Sequence, residues 1–262
     1  MTRKTVIITG KISPTTERLI RDLRKHCDDD TYIIVSTWKN QKIDVSKVEN
    51  CSVVFSKDPG PGPPTRKHNG KRHRVQNFNR QLFSVIAGLD FMEEKYAPND
   101  RGIVLRIRSD FRCFRNPFDM YFNIPVTDKE VSTLSNKVWI DHRHPCCNGK
   151  ISADHNFKRY CISDFTCMGK YEDVKEWYNI KKESVTVAPI VRACEHIFVV
   201  SNVVKCELAK KDKSIMNEKS PAAKRFLDEN IVFYSKEADS GMIWDRGRYK
   251  GRVLESVAPK KG

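Results

Sequence analysis

Apolar runs of strand length alternate with apolar stripes of helical period along the first half of this chain. "TVIITG" is a β-branched run that ends at Gly10. "SPTTERLIRDLRKH" follows, with Ser13 in the N-cap position, Pro14 at the first helical residue, and Leu19, Ile20 and Leu23 as the stripe to be buried. "DDDTYIIVSTW" passes from an acidic loop into a strand with a polar end, and "CSVVFS" is a third short strand. A β-α-β start of this kind predicts a parallel sheet with a right-handed crossover.

The strongest helical pattern is "NFNRQLFSVIAGLDFMEEKY", where Phe78, Leu82, Val85, Leu89 and Met92 recur at spacings of four and three. Asn77 and Asn79 are its cap candidates. Asn79, Arg80 and Gln81 fall in the first turn, where free N–H groups and the helix dipole favour an anion. An arginine there opposes the dipole, so helix stability alone does not account for it. "GIVLRIRSDF" predicts an interior strand with Ser109 and Asp110 at its C-terminal end, the end where ligands sit in open α/β sheets. Asp110 is a lone acid among Arg106, Arg108, Arg112 and Arg115.

Further along, "NPFDMYFNIP" and "KVWIDHRHP" predict turns and additional strands. "FKRYCISDFTCMGKYEDVKEWYNI" predicts a strand reaching Ser163 and Asp164, a turn, Gly169 and a helix. "APIVRACEHIFVVSNVV" predicts a helix, and "SPAAKRFLDENIVFY" a capped helix and a late strand. There are no internal repeats. The simplest division is a single domain over 1–262, with a flexible basic loop at 57–75 and a basic C-terminal tail at 245–262. The fold class is α/β, with a mostly parallel central sheet flanked by helices.

Composition supports one large domain: 262 residues, 39% of them hydrophobic, are enough for a real core. The formal charge of +15 calls for an anionic partner, which is nucleic acid, a membrane surface or a phosphorylated small molecule. The excess is uneven. Lys57 to Arg74 holds six Lys or Arg against one Asp, and Lys205 to Arg225 holds seven against three. Both segments read first as solvated surface. The nine cysteines are odd in number and form no C-x-x-C, which fits reduced thiols in a cytoplasmic compartment. No apolar stretch approaches the roughly 18–20 residues of a membrane span.

Two strand ends carry Ser-Asp, in "RIRSDF" and "YCISDF". Carboxylates at a sheet edge hold a divalent cation through hard oxygen ligands, or accept a proton from a hydroxyl nucleophile. With Arg80 at a helix start, they make a candidate site for a metal-bridged diphosphate and an activated second substrate. "DHRHPCCNGKISADH" gathers His142, His144, Cys146, Cys147 and His155, but at no zinc-ligand spacing. A phosphate loop, a dinucleotide-binding glycine motif and a nucleophile elbow are all missing. No nucleic-acid-binding signature is visible either, so that reading rests on charge alone.

The order of motifs resembles a known family. "VIITGKI", "IIVSTWKN", "NRQLFSVIAGL", "VLRIRSDF", "CISDFTCMGKYEDV" and "ACEHIF", from about Thr5 to Phe198, are similar to the WavE-type lipopolysaccharide-synthesis proteins. The resemblance implies the GT-A fold of nucleotide-diphospho-sugar transferases and a glycosyltransferase activity. It implies a nucleotide-sugar donor, a glycan or lipid-linked glycan acceptor, and a divalent cation, Mn or Mg. Thr9, Gly10, Ser36, Thr37 and Trp38 would lie near the base and ribose. Arg80, with Asn79 and Gln81, would meet the diphosphate. Asp110, after Ser109, would stand for the last acid of the D-x-D metal motif. Arg108 replaces the first acid, which points to a direct contact between Arg108 and phosphate. Asp164 and Glu195 are the candidate catalytic bases. Cys194 departs from the family's usual P-E block.

Two rival classes remain beside this reading. One is a non-enzymatic polyanion-binding or nucleic-acid-binding protein, motivated by the charge. The other is a sugar nucleotidyltransferase, which the lack of a Gly-rich basic loop after the first strand disfavours. Lipid-linked acceptors also suggest peripheral membrane contact through the basic segments near Lys205 and the C-terminus.

Overall fold

Strand residues with alternating side chains that are all apolar need cover on both faces, and the fold supplies it. The structure, a computed structural model, describes residues 2–60, 78–120, 125–141, 166–180, 194–217, 220–234 and 242–244. In chain order these form β1 (Lys4–Thr9), α1 (Pro14–His26), β2 (Tyr32–Trp38), β3 (Cys51–Ser56), α2 (Phe78–Lys95), β4 (Ile103–Arg108), β5 (Phe111–Cys113) and β6 (Val138–Asp141). The second half adds β7 (Thr166–Lys170), α3 (Tyr171–Tyr178), α4 (Cys194–Lys205), α5 (Glu207–Lys211), α6 (Pro221–Asn230), β8 (Ile231–Tyr234) and β9 (Met242–Trp244).

Seven strands make one sheet in the order β3-β2-β1-β4-β7-β6-β8, and β5 pairs with β9 in a small second sheet. β1 pairs in parallel with both β2 and β4, and β2 with β3. β7 runs antiparallel to β4 and β6, and β6 is parallel to β8. The expected class, a mostly parallel sheet flanked by helices, is what is observed.

The two faces have separate cores. Ile7, Ile34 and Val104 pack with Val85, Leu89 and Met92 of α2 and with Trp177 of α3. Val6, Ile8, Ile33, Val35 and Ile107 pack with Leu19, Ile20 and Leu23 of α1. α1 begins as its sequence predicts. Ser13 is extended, Pro14 opens the helix, and the Thr16 hydroxyl accepts from the Ser13 N–H at 3.0 Å. Arg24, Lys25 and His26 fill the last turn, where the dipole favours cations.

α2 starts at Phe78, so Asn79 lies inside the first turn and does not cap it; Asn77 lies outside the described residues. Gly88 of α2 faces the sheet, where an added Cβ would come within 2.6 Å of Ile7 Cγ2 and 3.6 Å of Ser36 Cβ. The helix therefore lies close on β1 and β2.

One strand is misplaced by the sequence reading. β7 begins at Thr166 and contains Gly169, where a turn was expected. Gly169 sits where Val138 and Val174 come together, and an added Cβ would lie only 3.2 Å from Val138 Cγ1 and 3.3 Å from Val174 Cγ2. Its missing side chain serves packing and not a bend.

Candidate active site

β2 and β3 extend the sheet to one side of β1, and β4 lies on the other. The order reverses at β1, so the C-terminal ends of β1 and β4 are where a crevice is expected. This is the topological switch point, where open α/β sheets bind ligands.

Local hydrogen bonds build the floor of that crevice. The Ser109 N–H donates to Thr9 O at 2.9 Å, which carries the β1–β4 ladder one residue past the strand. Ser109 Oγ donates to Lys11 O at 2.8 Å, and Thr16 Oγ1 donates to Ser109 O at 3.3 Å. Thr37 Oγ1 donates to Gly10 O at 2.8 Å. Gly10 has φ +127°, and a Cβ there would lie 2.7 Å from Ser109 Oγ. Only glycine suits that position. The hydroxyls of Ser109 and Thr37 thus hold the loop after β1, and Gly10 keeps the crevice floor at backbone height.

On the α2 face, register places Ser36, Thr9 and Arg108 in one row across the sheet. Paired residues of parallel strands share a face, and so do residues two apart. Arg106 and Trp38 therefore lie on the same face as this row. Arg106 is 1% exposed, and its Nε donates to Thr9 Oγ1 at 3.0 Å. In register with it is Cys167, whose thiol burial pushes up to about 12, with the Arg106 charge acting in the opposite direction.

Trp38 is buried, and the Arg80 guanidinium carbon lies 5.7 Å from its ring centroid. The Trp38 indole N–H, Ser36 Oγ and Gln81 Oε1 are buried without a hydrogen-bond partner among the described residues. A buried donor and acceptor of this kind cost stability unless something else fills them. Arg80 makes a bidentate pair with Asp58, at 2.9 Å from Nε and 2.8 Å from Nη2. The Arg80 hydrogen bonds hold the Asp58 carboxyl below its usual range.

Asp58 escaped the sequence reading. Its signal was that it is the one acid in the basic segment from Lys57 to Arg74. Arg106 was noted only as a neighbour of Asp110, yet it is the largest fully buried side chain of the described residues.

The charges around Asp110 sort into three different roles. Arg108 donates to both oxygens of Asp110, at 3.0 and 2.9 Å. Arg106 turns inward to Thr9. Arg112 binds Asp22 of α1 through Nε at 2.5 Å and Nη2 at 3.0 Å, and so ties β5 to a helix. Arg112 thus has a structural contact of its own.

A divalent cation needs several oxygen ligands free to turn toward it. Both Asp110 oxygens already accept from a guanidinium, and its neighbour two residues back is that same Arg108. Among the described residues, no three His, Cys, Asp or Glu side chains converge as ligands. Asp110, the metal ligand expected from sequence, is thus held by Arg108 in this structure. Asp164 lies outside the described residues, as do the histidines and cysteines of 142–155. Glu195 is the second residue of α4, and its side chain is likewise outside them.

Fold and site together define an α/β protein with an arginine-rich crevice at its switch point. The chain belongs to the WavE lipopolysaccharide synthesis family, which matches residues 7–207. No curated protein matches its sequence. Solved structures similar to it include the glycosyltransferase GlyE of Streptococcus pneumoniae TIGR4. The apo form has a TM-score of 0.42 and 10% identity, covering 76% of this chain and 42% of GlyE. A second GlyE structure has a TM-score of 0.43 and 10% identity, covering 91% and 56%. An active-site mutant of LgtC has a TM-score of 0.44 and 11% identity, covering 97% and 96%. The chain thus spans about half the length of the GlyE structures it resembles.

Proposed function

We propose that this chain is a glycosyltransferase that moves a sugar from a nucleotide-sugar donor to a hydroxyl of a glycan or lipid-linked glycan. The observation that carries the reading is the switch-point crevice with its arginines, in a chain of a lipopolysaccharide-synthesis family.

The reaction divides into two demands. The bond from the anomeric carbon to the diphosphate oxygen breaks, and its electron pair stays on that oxygen. The acceptor oxygen forms the new bond to the anomeric carbon, and its proton passes to a base. Charge on the leaving diphosphate needs fixed positive groups, which Arg80 and Arg108 supply at the crevice. The base needs a carboxylate on the acceptor side, for which Asp164 and Glu195 are the candidates. The buried Trp38 N–H and Gln81 carbonyl offer a donor and an acceptor to a nucleobase, and Gly10 lets the ribose and phosphate approach the backbone. The described cysteines Cys27, Cys51, Cys113, Cys167 and Cys206 are unpaired, which supports a reducing, cytoplasmic setting.

A thermal-shift panel of UDP, GDP, CMP, dTDP and their common sugars tests this reading. A ligand at a hundred times its Kd adds about 2.7 kcal/mol to stability, or roughly 5 °C or more in Tm for a chain of this size. One nucleotide should stand out, and its sugar conjugate should be consumed with an acceptor. If no nucleotide shifts Tm, the reading is wrong.

A further inference from the structure

We propose that Arg108 leaves Asp110 to bind the donor diphosphate, so that nucleotide binding needs no divalent cation. The inference rests on the glycosyltransferase reading and says how its leaving group is held.

Asp110 and Asp58 are acids at the C-terminal end of the described sheet and its flanking loop, and both carry the same partner type. Arg108 grips Asp110 and Arg80 grips Asp58, each through Nε and Nη2 to two carboxylate oxygens. A guanidinium fork fits a phosphate as it fits a carboxylate, bidentate and planar. Each carboxylate therefore acts as a place-holder that keeps the fork aimed at the crevice when no phosphate is there. Both pairs are partly open to solvent, with side-chain exposures of 18% and 24% for Arg108 and Asp110. Part-exposed pairs have a small net worth and open at little cost.

The local field argues the same way. A cation on Asp110 would face Arg108 two residues back and the buried Arg106 on the same sheet face. Those fixed charges repel a second cation and attract a diphosphate. The first acid of the metal motif is replaced by the residue that neutralises the second. The substitution at Arg108 thus turns a cation-holding edge into an anion-holding one.

The test uses the full chain and the thermal-shift panel, run once in EDTA and once in Mn, followed by calorimetric titration of the nucleoside diphosphate that binds. The expected result is equal affinity in EDTA and Mn. Arg108→Ala should weaken binding by about ten- to hundredfold, the value of a lost charge-assisted pair. Arg108→Lys, which keeps the charge and loses the fork, should fall between; it also serves if Arg108→Ala fails to fold. Asp110→Asn removes the competing carboxylate and should tighten binding. Binding that appears only with Mn, and is lost in Asp110→Asn, overturns the arginine mechanism and leaves the glycosyltransferase reading standing. Binding of no nucleotide under either condition overturns both.

Discussion

Asp58 and Arg80 show how a single exchange of partners sets a pH response. Arg80 hydrogen bonds hold the Asp58 carboxyl below its usual value in the folded chain. A carboxyl depressed on folding contributes stability that is complete above its unfolded pKa, about 3.9. That contribution is lost as pH falls through the lower, folded value. About a third of each side chain is exposed, so the contribution is under about 1 kcal/mol. Comparing Tm of the native chain and Asp58→Asn should show a small constant gap above about pH 5, closing below about pH 4. A gap that is unchanged down to about pH 2.5 would show that the pair is not formed in solution. The sequence made Arg80 visible because an arginine in the first turn of a helix opposes the dipole. It did not reveal Asp58, since a partner 22 positions away leaves no periodic trace. The same holds for Asp110. Its place at a strand end was legible, but which of four nearby arginines would grip it depended on position along the strand, since Arg106 and Arg108 share a face and Arg108 is the one at the strand's end.

Elements were legible where one period ran long enough. α1 carries its own cap, and its stripe of Leu19, Ile20 and Leu23 is buried as expected. The stripe of α2 was equally plain, with Phe78, Val85, Leu89 and Met92 buried. β7 was not, because it is five residues long and has a glycine inside it. Glycine in a short apolar run signals a break, and only the approach of Val138 and Val174 explains it as packing. Gly88 makes the matching case in a helix, where α2 closes on Ile7. Gly88→Ala should cost about 1–3 kcal/mol by overpacking, and Ile7→Ala about 2–5 kcal/mol by leaving a cavity. The double variant should cost less than the sum, because the new methyl group fills the space that Ile7 vacates. Urea unfolding of the four proteins measures this coupling, expected at about 0.5–3 kcal/mol. Additivity within about 0.5 kcal/mol would mean that the helix does not lie this close to β1.

At the scale of the whole molecule, the question is which of the many positive charges matter for a partner. The formal +15 invites a polyanion, yet much of the basic segment from Lys205 to Arg225 is spent internally. The Lys205 side chain is 5% exposed, and its Nζ binds Glu176. Lys210 pairs with Glu207, Lys211 with Glu130, Lys224 with Asp228, and Arg225 with Asp128 and Glu130. Within this segment, these described cations are already paired with acids of the same chain. No helix among the described residues is long and apolar enough to cross a membrane. Arg106, by contrast, is buried and Arg108 is partly so, and salt screens such charges less than exposed ones. Salt should therefore separate the two kinds of anion. A duplex that neutralises six or more phosphates loses about 10³-fold or more in affinity between roughly 50 and 200 mM salt. Nucleoside diphosphate binding, which engages a few partly buried arginines, should fall less than about tenfold over the same range. Parallel titrations of one nucleotide and one duplex oligonucleotide would measure both slopes. A duplex slope no steeper than the nucleotide slope, with tighter duplex binding at physiological salt, would return the weight to the polyanion binder. The expected divergence would assign the functional charge to the crevice, with the surrounding basic residues acting as a solvated face.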